Sequence, residues 1–272
     1  MIYLDYPSIS PILLSIGPFD IRWYSLAYIL GFLFSWQYIK YLSSSNKLYN
    51  FDNKLKTQAI DDLIFYSILF LIIGARLGYV IFYNGTYYLE NPLHIFYIWQ
   101  GGLSFHGGLL GVILAVFYIK ILNKVNFYVI SDLICASAPV GLFLGRLSNF
   151  INGELYGRPA SSLIGMIFPS ADSQYRHPSQ LYEAFLEGIC LFIVLNILIF
   201  GFKKLSNPGY ISSLFLIFYG IFRFIVEFSR EPDIQIGFVY KFLTMGMILS
   251  IPMIIIGFII LITSQFKNDP KK

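Results

Sequence analysis

Three stretches of this 272-residue chain hold residues whose types and spacing could do chemistry. The first runs Tyr219-Gly220-Ile221-Phe222-Arg223-Phe224-Ile225-Val226-Glu227-Phe228-Ser229-Arg230. On a helix Tyr219, Arg223 and Glu227 recur every four residues and share one face. An ionisable pair inside an apolar run points first to function, because charge is costly there, and otherwise to a self-neutralising pair kept for packing. The second stretch, Gly145-Arg146-Leu147-Ser148-Asn149-Phe150-Ile151-Asn152-Gly153-Glu154-Leu155-Tyr156-Gly157-Arg158, gathers two arginines, two asparagines, one glutamate and three glycines in fourteen residues. Guanidinium groups suit bidentate binding of phosphate or carboxylate. Gly153 and Gly157 could supply positive-φ turns or let a ligand approach the backbone; an ordinary polar loop is the plainer reading. The third is Gly101-Gly102-Leu103-Ser104-Phe105-His106-Gly107-Gly108-Leu109-Leu110-Gly111. Its His106 could serve as base, donor or ligand, or simply as a hydrogen-bonded packing residue.

Weaker candidates surround these. Arg22-Trp23-Tyr24-Ser25 reads as an interfacial anchor at the start of an apolar run. In His177-Pro178-Ser179-Gln180-Leu181-Tyr182-Glu183 the proline is placed to initiate a helix. Glu183 and Glu187, one turn apart, are either a set of ion-pair partners or end-of-helix charges. Leu93 to Trp99, aromatic and followed by Gly101-Gly102, reads as a segment lying in a membrane interface. The three histidines, at 94, 106 and 177, have no metal-ligand spacing, and no phosphate- or dinucleotide-binding glycine loop is present. No metal and no cofactor is expected.

The elements that must position these residues are membrane helices. The chain is 57% hydrophobic against about 45–50% in soluble domains, only 12% of it is charged, and its mean hydropathy is +0.67. That composition excludes a water-soluble globule, a disordered chain and a disulfide scaffold. Seven apolar runs fall at about Ile21–Tyr41, Leu63–Tyr83, Leu103–Ile121, Phe127–Leu144, Leu181–Phe202, Tyr210–Phe228 and Phe242–Ile262. The expected fold is therefore all-α: one integral membrane domain, residues 1–272, of about seven transmembrane helices with outer-face loops. Gly145 to Gln180 is expected as the one long non-apolar connection. Gly107 and Gly111, like Gly74 and Gly78, fit close helix–helix contacts. Cys135 and Cys190 lie in apolar runs and read as small buried hydrophobes. Residues 1–18 lack the basic start and cleavage site of a removable signal peptide.

Charge sets the orientation. Eleven of the twelve lysines (40, 47, 54, 56, 120, 124, 203, 204, 267, 271 and 272) fall on one side, which the positive-inside rule makes cytoplasmic. The N-terminus is then outside and the C-terminus inside. All seven arginines (22, 76, 146, 158, 176, 223 and 230) oppose that rule, in outer segments or toward outer helix ends. Snorkelling to lipid phosphates accounts for Arg22 and Arg176 but poorly for Arg76 and Arg223. An anion site in the outer half of the bilayer accounts for the set. No basic block of nucleic-acid type occurs.

The motifs Gly145-Arg146-x-x-Asn149-Phe150-Ile151-Asn152-Gly153-Glu154-x-x-Gly157-Arg158, Ser104-Phe105-His106-Gly107-Gly108, His177-Pro178-Ser179-Gln180-Leu181-Tyr182-Glu183 and Tyr219-x-x-x-Arg223-x-x-x-Glu227 resemble those of bacterial prolipoprotein diacylglyceryl transferases. Arg22-Trp23-Tyr24 and Gly74-Ala75-Arg76-Leu77-Gly78-Tyr79 extend the resemblance over nearly the whole chain. Ser148 departs from the Gly or Ala usual in the family, which bears only on fine loop geometry. The resemblance implies a multi-pass enzyme of the bacterial inner membrane, with its site toward the periplasm. It would move the diacylglyceryl group of phosphatidylglycerol onto the lipobox cysteine of a prolipoprotein, releasing glycerol phosphate. It implies catalytic roles for His106, Arg146, Arg223, Glu227 and Tyr24. Substrate contacts would come from Arg76, Arg146, Asn149, Glu154, Gly157, Gln180, Tyr219, Arg223 and Arg230. Arg146 and Arg223 would hold the phosphate, with Glu227 and Glu154 fixing them, and His106 or the arginine field would activate the thiol. The competing class is an anion or lipid transporter, which would favour repeat symmetry between halves; none is visible.

Overall fold

The computed structural model describes residues 2–7, 9–17, 19–48, 55–160, 164–232 and 237–267. Seven long helices follow the seven apolar runs: α1 (Trp23–Ser44), α2 (Thr57–Tyr83), α4 (Phe105–Asn123), α5 (Phe127–Ile151), α6 (Ser179–Gly201), α7 (Tyr210–Val226) and α8 (Met245–Lys267). A six-residue helix α3 (Gly85–Glu90) lies between α2 and α4. By length and composition α2, α4, α5, α6 and α8 are each long and apolar enough to cross a membrane, and α7 is a shorter apolar helix. The chain is a multi-pass membrane protein.

α5 is the central post: α1, α4, α6 and α7 all pack against it. Polar residues fix it at both ends. At one end the buried Asp132 carboxylate accepts hydrogen bonds from the backbone N–H of Gly209 (2.8 Å) and Ser212 (2.7 Å), satisfying the first turn of α7. At the other, the Ser148 hydroxyl lies 3.4 Å from the Trp23 carbonyl at the start of α1. The main core, with Ile39, Leu63, Ile130, Leu133, Leu191 and Ile211 fully buried, joins these helices. α2 and α4 meet where a Cβ on Gly107 would overlap the Gly74 carbonyl and one on Gly111 the Phe70 carbonyl. These are the close approaches expected of Gly74, Gly78, Gly107 and Gly111.

The sequence placed the end of the fourth run at Leu144, with non-helical backbone beyond. Instead Gly145 to Ile151 continues α5, and the connection begins at Asn152. The polar face of that last turn is covered by protein, so the helical backbone keeps its own hydrogen bonds where water is scarce. α6 holds two π-helical stretches, Ala184–Cys190 and Ile197–Gly201, a form that concentrates at functional sites. Short strand pairs decorate the end of the bundle that carries the arginines: β1 (Ile2–Leu4) parallel to β4 (Ile164–Met166), and the hairpins of β2 (Ile12–Ile16) with β3 (Phe19–Arg22) and β5 (Phe238–Tyr240) with β6 (Leu243–Thr244).

Candidate active site

Three arginines from separate segments converge on one carboxylate. Glu183, in the first turns of α6 and wholly buried, lies 2.7 Å from Arg146 of α5, 2.9 Å from Arg223 of α7 and 3.0 Å from Arg230 beyond α7. Glu187, one π turn further and equally buried, is 3.5 Å from Arg146 and 3.9 Å from Arg223. Glu227 pairs with Arg223, stands 3.8 Å from Arg230, and accepts the Thr244 hydroxyl at 2.5 Å. Three guanidinium groups therefore face three carboxylates. Burying a lone ion costs several kcal/mol, so this cluster holds only because its charges satisfy one another. Glu183 uses both oxygens; Glu187 Oε1 has no hydrogen-bond partner among the described residues.

The loop after α5 braces the cluster from its backbone. Arg158 donates to the carbonyls of Arg230 (2.9 Å) and Glu227 (3.1 Å). Gly157 donates its N–H to the His177 carbonyl (2.8 Å) and pairs with Arg230. A Cβ there would stand 2.5 Å from the carbonyl oxygens of both His177 and Ser229. At Gly157, a position expected to touch substrate, the missing side chain lets the backbone at His177 and Ser229 approach closely. Gly153 does take the positive φ, +66°, that its loop requires. Arg176, held by Asp172 (2.8 Å) and Glu231 (3.0 Å), secures the far side of the loop, and its guanidinium draws the Asp172 carboxyl down to about 2. Partial burial holds the His177 imidazole below its usual value.

A second node adjoins. Asn149 and Asn152 donate to the Glu154 carboxylate at 2.8 and 3.2 Å, and Gln180 donates to the Glu154 carbonyl at 2.7 Å. Glu154 was expected to fix the arginines; it fixes the two asparagines instead, because they lie two and five residues away on the same turn. Tyr219 sits one helical turn before Arg223, stacked on Phe215. Arg223, Glu227 and Arg230, with Glu231, Thr244 and Gly246, line a shallow indentation.

Not all of the expected residues join this centre. Arg76 is buried and directs its guanidinium at five backbone carbonyls, those of His94, Ile95, Tyr97, Gly101 and Gly102, at 2.5–3.3 Å. It holds the aromatic segment after α3, whose carbonyls have no sheet or long helix to satisfy them. His106 lies exposed on the first turn of α4, its ring against Phe105. Tyr24 packs on Tyr28 in the first turn of α1. Neither bonds to the arginine cluster among the described residues. Glu183 and Glu187, left open between ion-pair partners and end charges, are the ion-pair partners. The signal for them was two carboxylates four residues apart inside an apolar run.

Comparison with known proteins carries this geometry to a family. The profile of the prolipoprotein diacylglyceryl transferase family matches residues 11–263. The chain belongs to that family. It is 44% identical over 268 residues to the phosphatidylglycerol–prolipoprotein diacylglyceryl transferase of Rickettsia bellii (strain OSU 85-389), covering 98% of this chain and all of the relative. It is 49% identical over 255 residues to the protein of that name from Rickettsia akari (strain Hartford), covering 93% and 96%. With the one from Rhodopseudomonas palustris (strain ATCC BAA-98 / CGA009) the identity is 47% over 261 residues, covering 95% and 91%. Kinship over nearly the full length makes the chain a transferase enzyme, and the transporter alternative has no support.

Proposed function

We propose that this chain transfers the diacylglyceryl group of phosphatidylglycerol to the lipobox cysteine of prolipoproteins, at a site in the outer half of the bacterial inner membrane. The observation that carries the reading is the convergence of Arg146, Arg223 and Arg230 on Glu183. A lipid phosphate needs a cationic, preorganised and largely dry contact, and guanidinium forks locked by carboxylates supply one. Arg146 and Arg223 each keep about a sixth of their side chain exposed, so the clamp is open to a ligand without losing its brace.

The chemistry follows from the product bond. A thioether forms when the cysteine sulfur attacks the glycerol carbon that bears the phosphate ester. The carbon–oxygen bond breaks, and the phosphate departs with its bridging oxygen as glycerol phosphate. A free thiol of pKa about 8.5 is only about 3% ionised at pH 7, so the sulfur must lose its proton to react well. We assign that proton to His106, whose exposed position on α4 leaves its ring reachable by an incoming peptide. The arginines stabilise the thiolate and the charge gathering on the departing phosphate. Tyr24, Asn149, Tyr219 and Gln180 complete the polar surroundings of the two substrates.

The test is incubation of the purified protein with phosphatidylglycerol, labelled with heavy oxygen at the bridging position, and a lipobox peptide. Lipid on the peptide, with all the label in released glycerol phosphate and activity surviving EDTA, is the expected result. Label on the diacylglyceryl product would overturn carbon–oxygen cleavage, and transport without transfer would overturn the class. The orientation rests on the lysines: a cysteine placed beside Lys203 and Lys204 should resist impermeant reagents in intact cells, while one beside Arg158 reacts.

A further inference from the structure

Arg76 and His106 stand on neighbouring helices, α2 and α4, and a short stretch of gripped chain joins them. The Arg76 guanidinium has five N–H donors, and each meets a backbone carbonyl of its own. Nε donates to Ile95 at 2.8 Å. One terminal nitrogen donates to His94 (2.6 Å) and Tyr97 (3.3 Å), the other to Gly101 (2.5 Å) and Gly102 (3.2 Å). Gly102 lies four residues before His106. Between them α2 takes hold again: the Ser104 N–H donates to the carbonyl of Ala75, the residue before the arginine, at 2.8 Å. Ser104 then caps α4, its hydroxyl accepting the Gly107 N–H at 3.3 Å. Gly78 lets this turn close on α2, since a Cβ there would stand 2.9 Å from the Gly107 Cα and 3.1 Å from the Ser104 Cβ. The His106 ring lies against its neighbour Phe105 and makes no hydrogen bond among the described residues. Its place is therefore set by the backbone of its turn.

We infer that Arg76 is a positioning residue for the transfer reaction: by pinning the chain ahead of α4 it holds His106 where the incoming thiol gives up its proton. The inference rests on the proposed function, in which His106 takes that proton. A base acts only within hydrogen-bond reach of the proton, about 2.6–3.2 Å between heavy atoms. A histidine with no partner to orient it depends on the segment that carries it, and five bonds from one buried side chain anchor that segment. Arginine suits the task because its planar fork spreads five donors over three nitrogens. Lysine brings three donors on one nitrogen and cannot serve carbonyls at both ends of the segment. Gly101 and Gly102, with φ of +83° and +77°, take the backbone that presents two adjacent carbonyls to a single nitrogen.

A selenocysteine acceptor separates this role from a merely structural one. A selenol is already ionised at neutral pH, whereas about 3% of a thiol of pKa about 8.5 is. Transfer to selenium therefore gives a selenoether and glycerol phosphate with no proton for a base to remove. The full-length protein in nanodiscs containing phosphatidylglycerol is assayed with a cysteine and a selenocysteine lipobox peptide, each variant read against wild type on the same acceptor. Arg76→Lys should be about a hundredfold slower on cysteine, in kcat rather than in KM for the lipid. On selenocysteine it should come within about threefold of wild type. His106→Gln should show the same pattern, while Arg146→Lys, which acts on the phosphate, should be slow on both. Gly102→Ala loosens the same anchor with the arginine intact, since its Cβ would stand 2.5 Å from the Tyr79 ring at positive φ, and it decides the matter if Arg76→Lys does not fold. Wild-type rates on cysteine in these anchor variants, or equal slowing on both acceptors, would overturn the inference. His106→Gln at the wild-type rate on cysteine would remove the base and the inference with it. Failure of the wild type to modify either peptide would refute the proposed function itself, and the inference that rests on it.

Discussion

Replacing Glu183 with Gln keeps the shape of the hub and removes its charge. In the wild type its two oxygens receive Arg146, Arg223 and Arg230 at 2.7–3.3 Å, with no part of the residue exposed. The amide offers one oxygen and turns an NH₂ toward guanidinium groups that have nothing to accept it. Three cations then face two carboxylates in a buried site. Breaking a buried ionic network by removing one partner costs about 3–5 kcal/mol, and the surviving oxygen places this case near about 3. At roughly 2–4 °C per kcal/mol, melting in nanodiscs should fall by about 6–12 °C. Turnover should fall by about a hundredfold, the usual penalty for displacing a positioned group by an ångström. Because the variant gains net positive charge, its KM for the anionic lipid should not rise, and the defect should appear in kcat. Adding Arg230→Gln restores the charge balance and should recover part of the lost melting temperature. If Glu183→Gln melts within about 1 °C of wild type and turns over normally, the hub is not what holds the arginines.

Three further outcomes are expected. Arg146→Lys and Arg223→Lys preserve charge but lose the planar fork, so transfer should drop steeply while the protein accumulates normally; near-normal turnover in both would confine these arginines to packing. Gly107→Ala drives a methyl into the Gly74 carbonyl and should cost about 1–3 kcal/mol by forcing α2 and α4 apart, read as a lower melting temperature. Burial depresses the His177 pKa below 6.5, so the folded loop prefers the neutral ring. Protection of residues 164–177 from protease should then be full above pH 6.5 and decline as pH falls toward the folded pKa, and His177→Gln should flatten the profile.

The helices were legible because apolar runs of membrane length have few alternatives, and the glycine contacts of α2 with α4 were legible because only small residues allow such approach. The polar turn Gly145–Ile151 misled: its residues read as a loop, yet they extend α5 because their partners cover them. Arg223 with Glu227 could be found from one helix, since four residues separate them. Glu183 could not be assigned, since its partners lie 37, 40 and 47 residues away and only the packing of α5, α6 and α7 brings them together. For Arg76, nothing local foretold that five carbonyls after α3 would take its donors.

The balance of charge in the cluster bears on how the proposed reaction would be driven. A clamp of three arginines alone would hold any phosphate tightly, substrate and product alike, and tight binding of both does not speed the step between them. Here Glu183, Glu187 and Glu227 already occupy the guanidinium groups, so an arriving lipid with one negative charge competes with carboxylates and is held modestly. As the carbon–oxygen bond breaks, the phosphate gains a second charge, and its share of the same guanidinium donors grows. The arginines need not move to meet that charge, because the carboxylates have fixed them beforehand. The glutamates thus weaken the ground state while preserving the geometry for the transition state. For this reason a glutamate-to-glutamine change, which strengthens the positive field, is expected to slow the reaction.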